Sequence, residues 1–173
     1  MDIPNILFYL AAALAVLATI LVITRRHAVH SLLYLVVSML AIAVIYFLLG
    51  APFAAVLEVI VYAGAIMVLF IFVIMMLNLG RESERRQSIL FQPKIWAGPA
   101  LITLLLFAEL VIMLSNKNLG STSATVIGPK VVGIALYGPY LVGVELASML
   151  LLAGLVGAYH LGKPLTAEEQ EKS

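Results

Sequence analysis

Five apolar segments, each long enough to cross a lipid bilayer, constrain this chain more than any other feature. A helix needs about 20 predominantly apolar residues to span the hydrocarbon core. Only 11% of the residues are charged, whereas soluble domains carry about 25%. We therefore predict an all-α integral membrane protein with five transmembrane helices, at Pro4–Thr24, Leu32–Gly50, Phe53–Leu79, Ile95–Ser115 and Tyr140–Leu161.

The basic residues are unequally distributed between the two sides of these segments. Lys117 and Lys130 stand on one side, and the other eight Lys and Arg residues stand on the opposite side. Because basic loops are retained in the cytoplasm, we predict that the N-terminus lies outside and the C-terminus in the cytoplasm. The expected organisation is one five-helix domain over residues 1–165, followed by a short polar cytoplasmic tail over residues 166–173.

Composition also excludes several kinds of function. The chain has no cysteine, so it cannot supply the thiolates that bind iron–sulfur clusters and many zinc ions. Its three histidines stand near segment ends, and a net charge of +1 leaves no basic stripe for nucleic acid. Neither glycine-rich nucleotide-binding motif is present. We therefore expect no cofactor and no metal on this chain, and a lipid bilayer and neighbouring subunits as its partners.

The third apolar segment contains one charged residue, Glu58, within the run Phe53–Leu77. A carboxylate inside a membrane helix costs roughly 2.5–3.5 kcal/mol on insertion scales and is a functional hypothesis by default. Tyr62 follows four residues later, where α-helical geometry puts it on the same face. Gly64, a weak helix former, comes next. The combination of an acid, a hydroxyl group and a flexible backbone position indicates that this helix takes part in proton transfer. Two other interpretations stay open: Glu58 lies at the membrane interface, or Gly64 allows close helix packing.

Two further acids lie in apolar segments. Glu145 is in the fifth segment, with Ser148 on the next turn, and either hydrogen-bonds within the bundle or sits near the outer interface. Glu109 is in the fourth segment, seven residues before Asn116, from where it could reach the outer interface. Glu109 is therefore the weaker candidate, and its role is left open.

Three stretches resemble one known family, subunit J of bacterial NADH-quinone oxidoreductase, the counterpart of chain 6 in mitochondrial respiratory complex I. The stretch that carries most of the resemblance is residues 57–80, LEVIVYAGAIMVLFIFVIMMLNLG. The other two are residues 30–34, HSLLY, and residues 138–160, GPYLVGVELASMLLLAGLVGAYH. The resemblance covers almost the whole chain and is weakest around the fourth segment and in the acidic tail.

The resemblance implies a place in the membrane arm of a proton-pumping complex in the bacterial inner membrane. NADH, FMN, the iron–sulfur clusters and quinone would then belong to other subunits, and the partners would be other membrane-arm subunits. In this family the third helix carries a π-bulge whose rearrangement is proposed to gate a proton path. The positions that match the proton path or gate are Glu58, Tyr62, Gly64, Met67, Val68 and Glu145. Glu109 inherits no role.

These observations favour a non-catalytic subunit that couples quinone reduction to proton translocation through a gated third helix. It would be part of an enzyme, a translocase, while carrying no redox centre itself. An autonomous proton or cation channel or carrier is the alternative from the transporter class, but the chain has few intramembrane ionisable residues and no internal repeat. A purely structural membrane scaffold is the third possibility.

Overall fold

The computed structural model describes residues 3–25, 28–76, 93–115 and 126–163, most of which are helical. The third spanning helix, Pro52–Met76, is continuous and consists of three elements, α3 (Pro52–Leu57), π1 (Glu58–Ile66) and α4 (Met67–Met76). The elements in chain order are α1 (Ile3–Thr24), α2 (Ala28–Leu48), α3 (Pro52–Leu57), π1 (Glu58–Ile66), α4 (Met67–Met76), α5 (Pro93–Ser115), α6 (Pro129–Leu136) and α7 (Leu141–Gly162).

The predicted helical fold is confirmed, because five helices are long and apolar enough to cross a membrane. Their bounds agree with the predicted segments within a few residues, and the predicted end of the third segment, after Met76, lies outside the described residues. The orientation of the termini stays a prediction, because most of the basic residues that support it lie outside the described part of the chain.

The chain divides into two compact units, Met1–Gly128 and Pro129–Ser173, and each is described by itself. The first unit contains α1, α2, the third spanning helix and α5. The second contains α6 and α7, joined by a turn in which the Tyr140 N–H donates to the Ala135 carbonyl over 3.1 Å. The prediction of one domain over 1–165 stays a prediction, and the predicted tail, 166–173, lies outside the described residues.

Small buried side chains hold α1 and α2 close together. Ala11, Ala15, Ala18 and Ala41 are buried at the α1–α2 interface, and small residues allow membrane helices to approach closely. Ser38 on α2 adds a polar contact, because its hydroxyl lies 3.3 Å from the Ala15 carbonyl oxygen and donates to it. The first unit is therefore organised around the α1–α2 pair, on which α5 and the third spanning helix pack.

A tight connection positions the third spanning helix against α2. Gly50 adopts a left-handed backbone conformation, with φ of 80°, that other residues rarely adopt. Pro52 then occupies the first turn of α3, where the missing N–H of proline leaves no helical bond unmade. The carbonyl of Gly50 accepts a hydrogen bond from Ile127 over 2.9 Å. This turn reverses the chain, so that the third spanning helix packs on α2.

Candidate functional site

The third spanning helix is π-helical through its candidate site. The π-helix covers Glu58–Ile66, and the Met67 N–H donates to the Tyr62 carbonyl, five residues earlier. π-Helices are rare and are frequently found at functional sites. The π-helical distortion that the family resemblance implies for the third helix is thus present over Glu58–Ile66, whereas Met67 and Val68 belong to the α-helix that follows.

Gly64 lies at a close contact with the backbone of the π-helix. A β-carbon built on Gly64 would stand 3.2 Å from the carbonyl oxygen of Val59, closer than side chains usually approach a backbone oxygen. Any other residue at this position therefore brings its β-carbon into close contact with the carbonyl oxygen of Val59, five residues earlier. Glycine removes that conflict, because it has no side chain.

The π-helix places Glu58 and Met67 on the same side of the third spanning helix. Both are buried, with exposed fractions of 8% and 4%, and this helix packs mainly on α2. Nine residues separate them, which is about 2.5 turns of α-helix and would put them on opposite faces. Nine residues of the wider π-helix make close to two turns. The burial of both side chains therefore depends on the π-helix.

Tyr62 and Val68 do not join this buried pair. The Tyr62 side chain is 48% exposed, and Val68 is also exposed. The sequence prediction put Tyr62 on the same face as Glu58 from α-helical spacing, and the structure corrects it, because i→i+5 bonding changes the angle between residues four apart. Among the described residues Tyr62 makes no hydrogen bond to Glu58.

An apolar cavity of about 360 Å³ lies in the first unit, and Glu58 is not among its lining residues. Helix α2, the third spanning helix and α5 form its walls. Among its lining residues, Thr103 is the one with a polar side chain. Ala55 and Val59, three residues before Glu58 and one residue after it, belong to the wall. The complete lining is Leu40, Ala43, Val44, Phe47, Ala55, Val56, Val59, Ile60, Thr103, Leu106, Phe107 and Leu110.

Of the acids that the structure describes in the first unit, Glu109 on α5 is the most buried. Its side chain is 1% exposed, and neither carboxylate oxygen has a hydrogen-bond partner among the described residues. Leu106 and Met113, three residues before and four after, are buried against α1 and α2. The sequence prediction that Glu109 could reach the outer interface is therefore wrong. The signal that could have found it is the helical spacing of these three residues along one face.

Glu145, the remaining predicted site residue, belongs to the second unit. It lies in the first turns of α7 with its side chain exposed. Its backbone carbonyl accepts a hydrogen bond from the Ser148 hydroxyl over 2.7 Å. Its predicted part in a proton path stays a prediction.

Within the described residues, no group of three His, Cys, Asp or Glu side chains could hold a metal ion. The expectation that redox cofactors reside on other subunits stays a prediction.

Comparison with known proteins identifies the family. The family model for NADH-ubiquinone/plastoquinone oxidoreductase chain 6 matches residues 18–161. The chain is similar to NADH-quinone oxidoreductase subunit J of Pseudomonas aeruginosa, with 57% identity over 90% of this chain and 95% of the relative. It is also similar to the subunit of the same name from Escherichia coli K12, with 50% identity over 94% of this chain and 88% of the relative.

Proposed function

Because the chain belongs to the family of NADH-ubiquinone/plastoquinone oxidoreductase chain 6 and is a homologue of NADH-quinone oxidoreductase subunit J, we propose that it couples quinone reduction to proton translocation in that complex. The redox chemistry would take place on other subunits, which hold NADH, FMN, iron–sulfur clusters and quinone. Its neighbours would be the other membrane-arm subunits, in the inner membrane of a bacterium.

One observation carries this proposal: a π-helix begins at the buried acid Glu58, within the third spanning helix of the first unit. A carboxyl group held inside a spanning helix can bind and release a proton, and intramembrane acids mark proton pathways in pumps. A π-helix can return to an α-helix by exchanging i→i+5 for i→i+4 bonds. The site therefore combines a proton carrier with a backbone that has two discrete arrangements.

The gate would operate by rotation of one half of the helix against the other. In the π-helical arrangement Glu58 and Met67 are both buried on the α2 side. Straightening to a regular α-helix turns Met67 by close to half a turn relative to Glu58. After this rotation, either Met67 or Glu58 no longer packs on the side of the helix that contacts α2. Such a change between two packed arrangements opens and closes a water path near the acid, which is the way a two-state gate works.

The decisive experiment replaces Glu58 by glutamine in the complete complex. Glutamine keeps the size and the hydrogen-bonding capacity of the side chain but cannot titrate. We expect normal assembly, with less proton pumping per NADH oxidised. Glu168→Gln in the predicted tail makes the same chemical change outside the membrane and is the matched control. Unchanged pumping and turnover in a fully assembled Glu58→Gln complex would refute the coupling role. The purely structural scaffold would then be the remaining hypothesis.

The channel alternative is tested separately. Reconstituted alone into vesicles, this chain should conduct no protons, because the spans of the first unit offer two buried acids and no continuous polar path among the described residues. Proton conductance by the isolated chain would support an autonomous channel instead.

A further inference from the structure

We propose that Glu109 is a proton-binding site whose occupancy holds α5 on the α1–α2 pair. The protonated acid fits the closed bundle of the first unit, and α5 separates from the pair when the proton leaves. The inference goes beyond the proposed function, since it concerns α5 and does not depend on any role of Glu58. It assigns a ligand to an acid that the family resemblance leaves without a role.

Glu109 is enclosed between helices. Its side chain is 1% exposed, and α5 contacts both α1 and α2. Leu106, three residues earlier, and Met113, four residues later, each belong to a buried apolar cluster with residues of α1 and α2. These spacings put the three side chains on one face of α5. The carboxyl group therefore lies between two apolar layers of the bundle.

The carboxyl group of Glu109 has no partner that stabilises a negative charge. Neither of its oxygens makes a hydrogen bond among the described residues. An isolated carboxylate in apolar surroundings is so unfavourable that such a group is neutralised instead. With only 1% of the side chain exposed, a subunit docked on the outside of the closed bundle does not reach it with a counter-charge.

The ionisable side chains of α1 and α2 do not supply that counter-charge. They are Tyr9 on α1 and His30, Tyr34 and Tyr46 on α2, and tyrosines are neutral at physiological pH. The hydroxyl group of Tyr34 contacts α5 at Gly98, eleven residues before Glu109, which is roughly 16 Å along a helix. His30 is one turn further away along α2. Arg25, which contacts the Tyr34 ring, lies at that same end of the bundle.

A metal ion does not fit this position either. Hard cations such as Ca²⁺ and Mg²⁺ take about six or more oxygen ligands. The hydroxyl groups between α1 and α2 belong to Thr19 and Ser38, which are hydrogen-bonded to each other and to the Ala15 carbonyl. On the third spanning helix the one described acid, Glu58, adds negative charge and no cation. The ligand that neutralises Glu109 is therefore a proton.

Proton binding and the packing of α5 are linked, because the closed and the open bundle favour different forms of the acid. The closed bundle holds the neutral form, whereas an acid in contact with water is ionised at neutral pH. The closed bundle thus binds one proton more than the open one, so rising pH favours opening by up to tenfold per pH unit. The α5 contact is accordingly strongest at low pH and weakens as the pH rises.

The first test measures the opening of α5 by hydrogen–deuterium exchange in the complete complex. The unmodified complex and Glu109→Gln are compared at each pH, so that the intrinsic pH dependence of amide exchange cancels. We expect the exchange rate of α5 peptides in the unmodified complex, divided by that in the variant, to rise by up to tenfold per pH unit. Glu168→Gln, the same change in the predicted tail, should match the unmodified complex at every pH. A ratio that is constant with pH would overturn the inference and leave Glu109 a structural residue.

Infrared spectra of the complete complex test the protonation state directly, because the C=O stretch of a carboxylic acid is distinct from the bands of a carboxylate. We expect the spectrum of the unmodified complex at neutral pH to contain one carboxylic acid band that is lost in Glu109→Gln. A difference spectrum that shows carboxylate bands instead, or neither kind of band, would overturn the inference.

Glu109→Leu covers the case in which the glutamine complex does not assemble. Leucine is neutral and apolar, and well-packed apolar residues often replace buried charged groups without loss of stability. We expect this variant to assemble, and the exchange ratio of the unmodified complex to Glu109→Leu to rise with pH in the same way. Failure of both variants to assemble would overturn the inference, because a site that holds a neutral acid accepts another neutral side chain.

Discussion

The hydroxyl group of Tyr34 on α2 lies where a β-carbon on Gly98 of α5 would stand. Tyr34 is 3% exposed, and the Arg25 guanidinium carbon lies 5.4 Å from the centre of its ring. The absence of a side chain at Gly98 therefore lets the tyrosine fit between the two helices. The packing of α5 on α2 depends on this glycine.

We predict that Gly98→Ala destabilises the protein by roughly 1–3 kcal/mol, the usual cost of overpacking a well-packed core. Tyr34→Phe removes the hydroxyl that the new methyl group meets and keeps the ring that contacts Arg25. The double variant should therefore recover most of the loss, since residues in contact are not additive. Thermal inactivation of the complex in detergent measures all three variants. Equal losses in the single Gly98 variant and the double variant would contradict the contact.

The sequence predicts the number and position of the spanning helices well, because length and apolar character decide whether a segment can cross a bilayer. It does not predict which face of each helix is buried. The helices are apolar on all sides, so no polar face marks the exposed side, and the sequence alone does not show that Glu109 is enclosed. The π-helix was expected from family resemblance. From the residues alone, Gly64 indicated flexibility at one point, whereas the observed π-helix covers Glu58–Ile66.

We predict that Ser38→Ala weakens the α1–α2 pair by about 0.6–1.5 kcal/mol, the range for one side-chain hydrogen bond in a membrane or a protein interior. The loss stays small because Thr19 retains its own 2.8 Å bond to the Ala15 carbonyl. Thr24→Ala, which removes an exposed hydroxyl bonded within α1, is the control and should have a smaller effect. Thermal inactivation of the complex again provides the measurement, and equal losses in the two variants would show that the Ser38 bond adds nothing.

We predict that residues before and after the fourth span face opposite sides of the membrane. Single cysteines at Ser83 and Ser123, which lie outside the described residues, are suitable because the chain has no native cysteine. A membrane-impermeant maleimide should label position 123 in intact spheroplasts and position 83 only in inverted vesicles, as the distribution of basic residues requires. Labelling of both positions from one side would contradict the predicted orientation.

The last prediction concerns the backbone at Gly64. A β-carbon there would stand 3.2 Å from the Val59 carbonyl oxygen, and the branched side chain of valine adds further bulk to that contact. Gly64→Val should therefore disfavour the π-helix and favour the straight α-helix, in which Met67 no longer shares the α2 side with Glu58. We expect assembly to continue and NADH-driven proton pumping to fall. Gly133→Val on α6, where a β-carbon meets nothing within 4 Å, makes the same substitution without that conflict and should leave pumping intact. The structure of the Gly64→Val complex decides the cause: a π-helix that persists over Glu58–Ile66, together with impaired pumping, would rule out straightening of this helix as the reason for the loss.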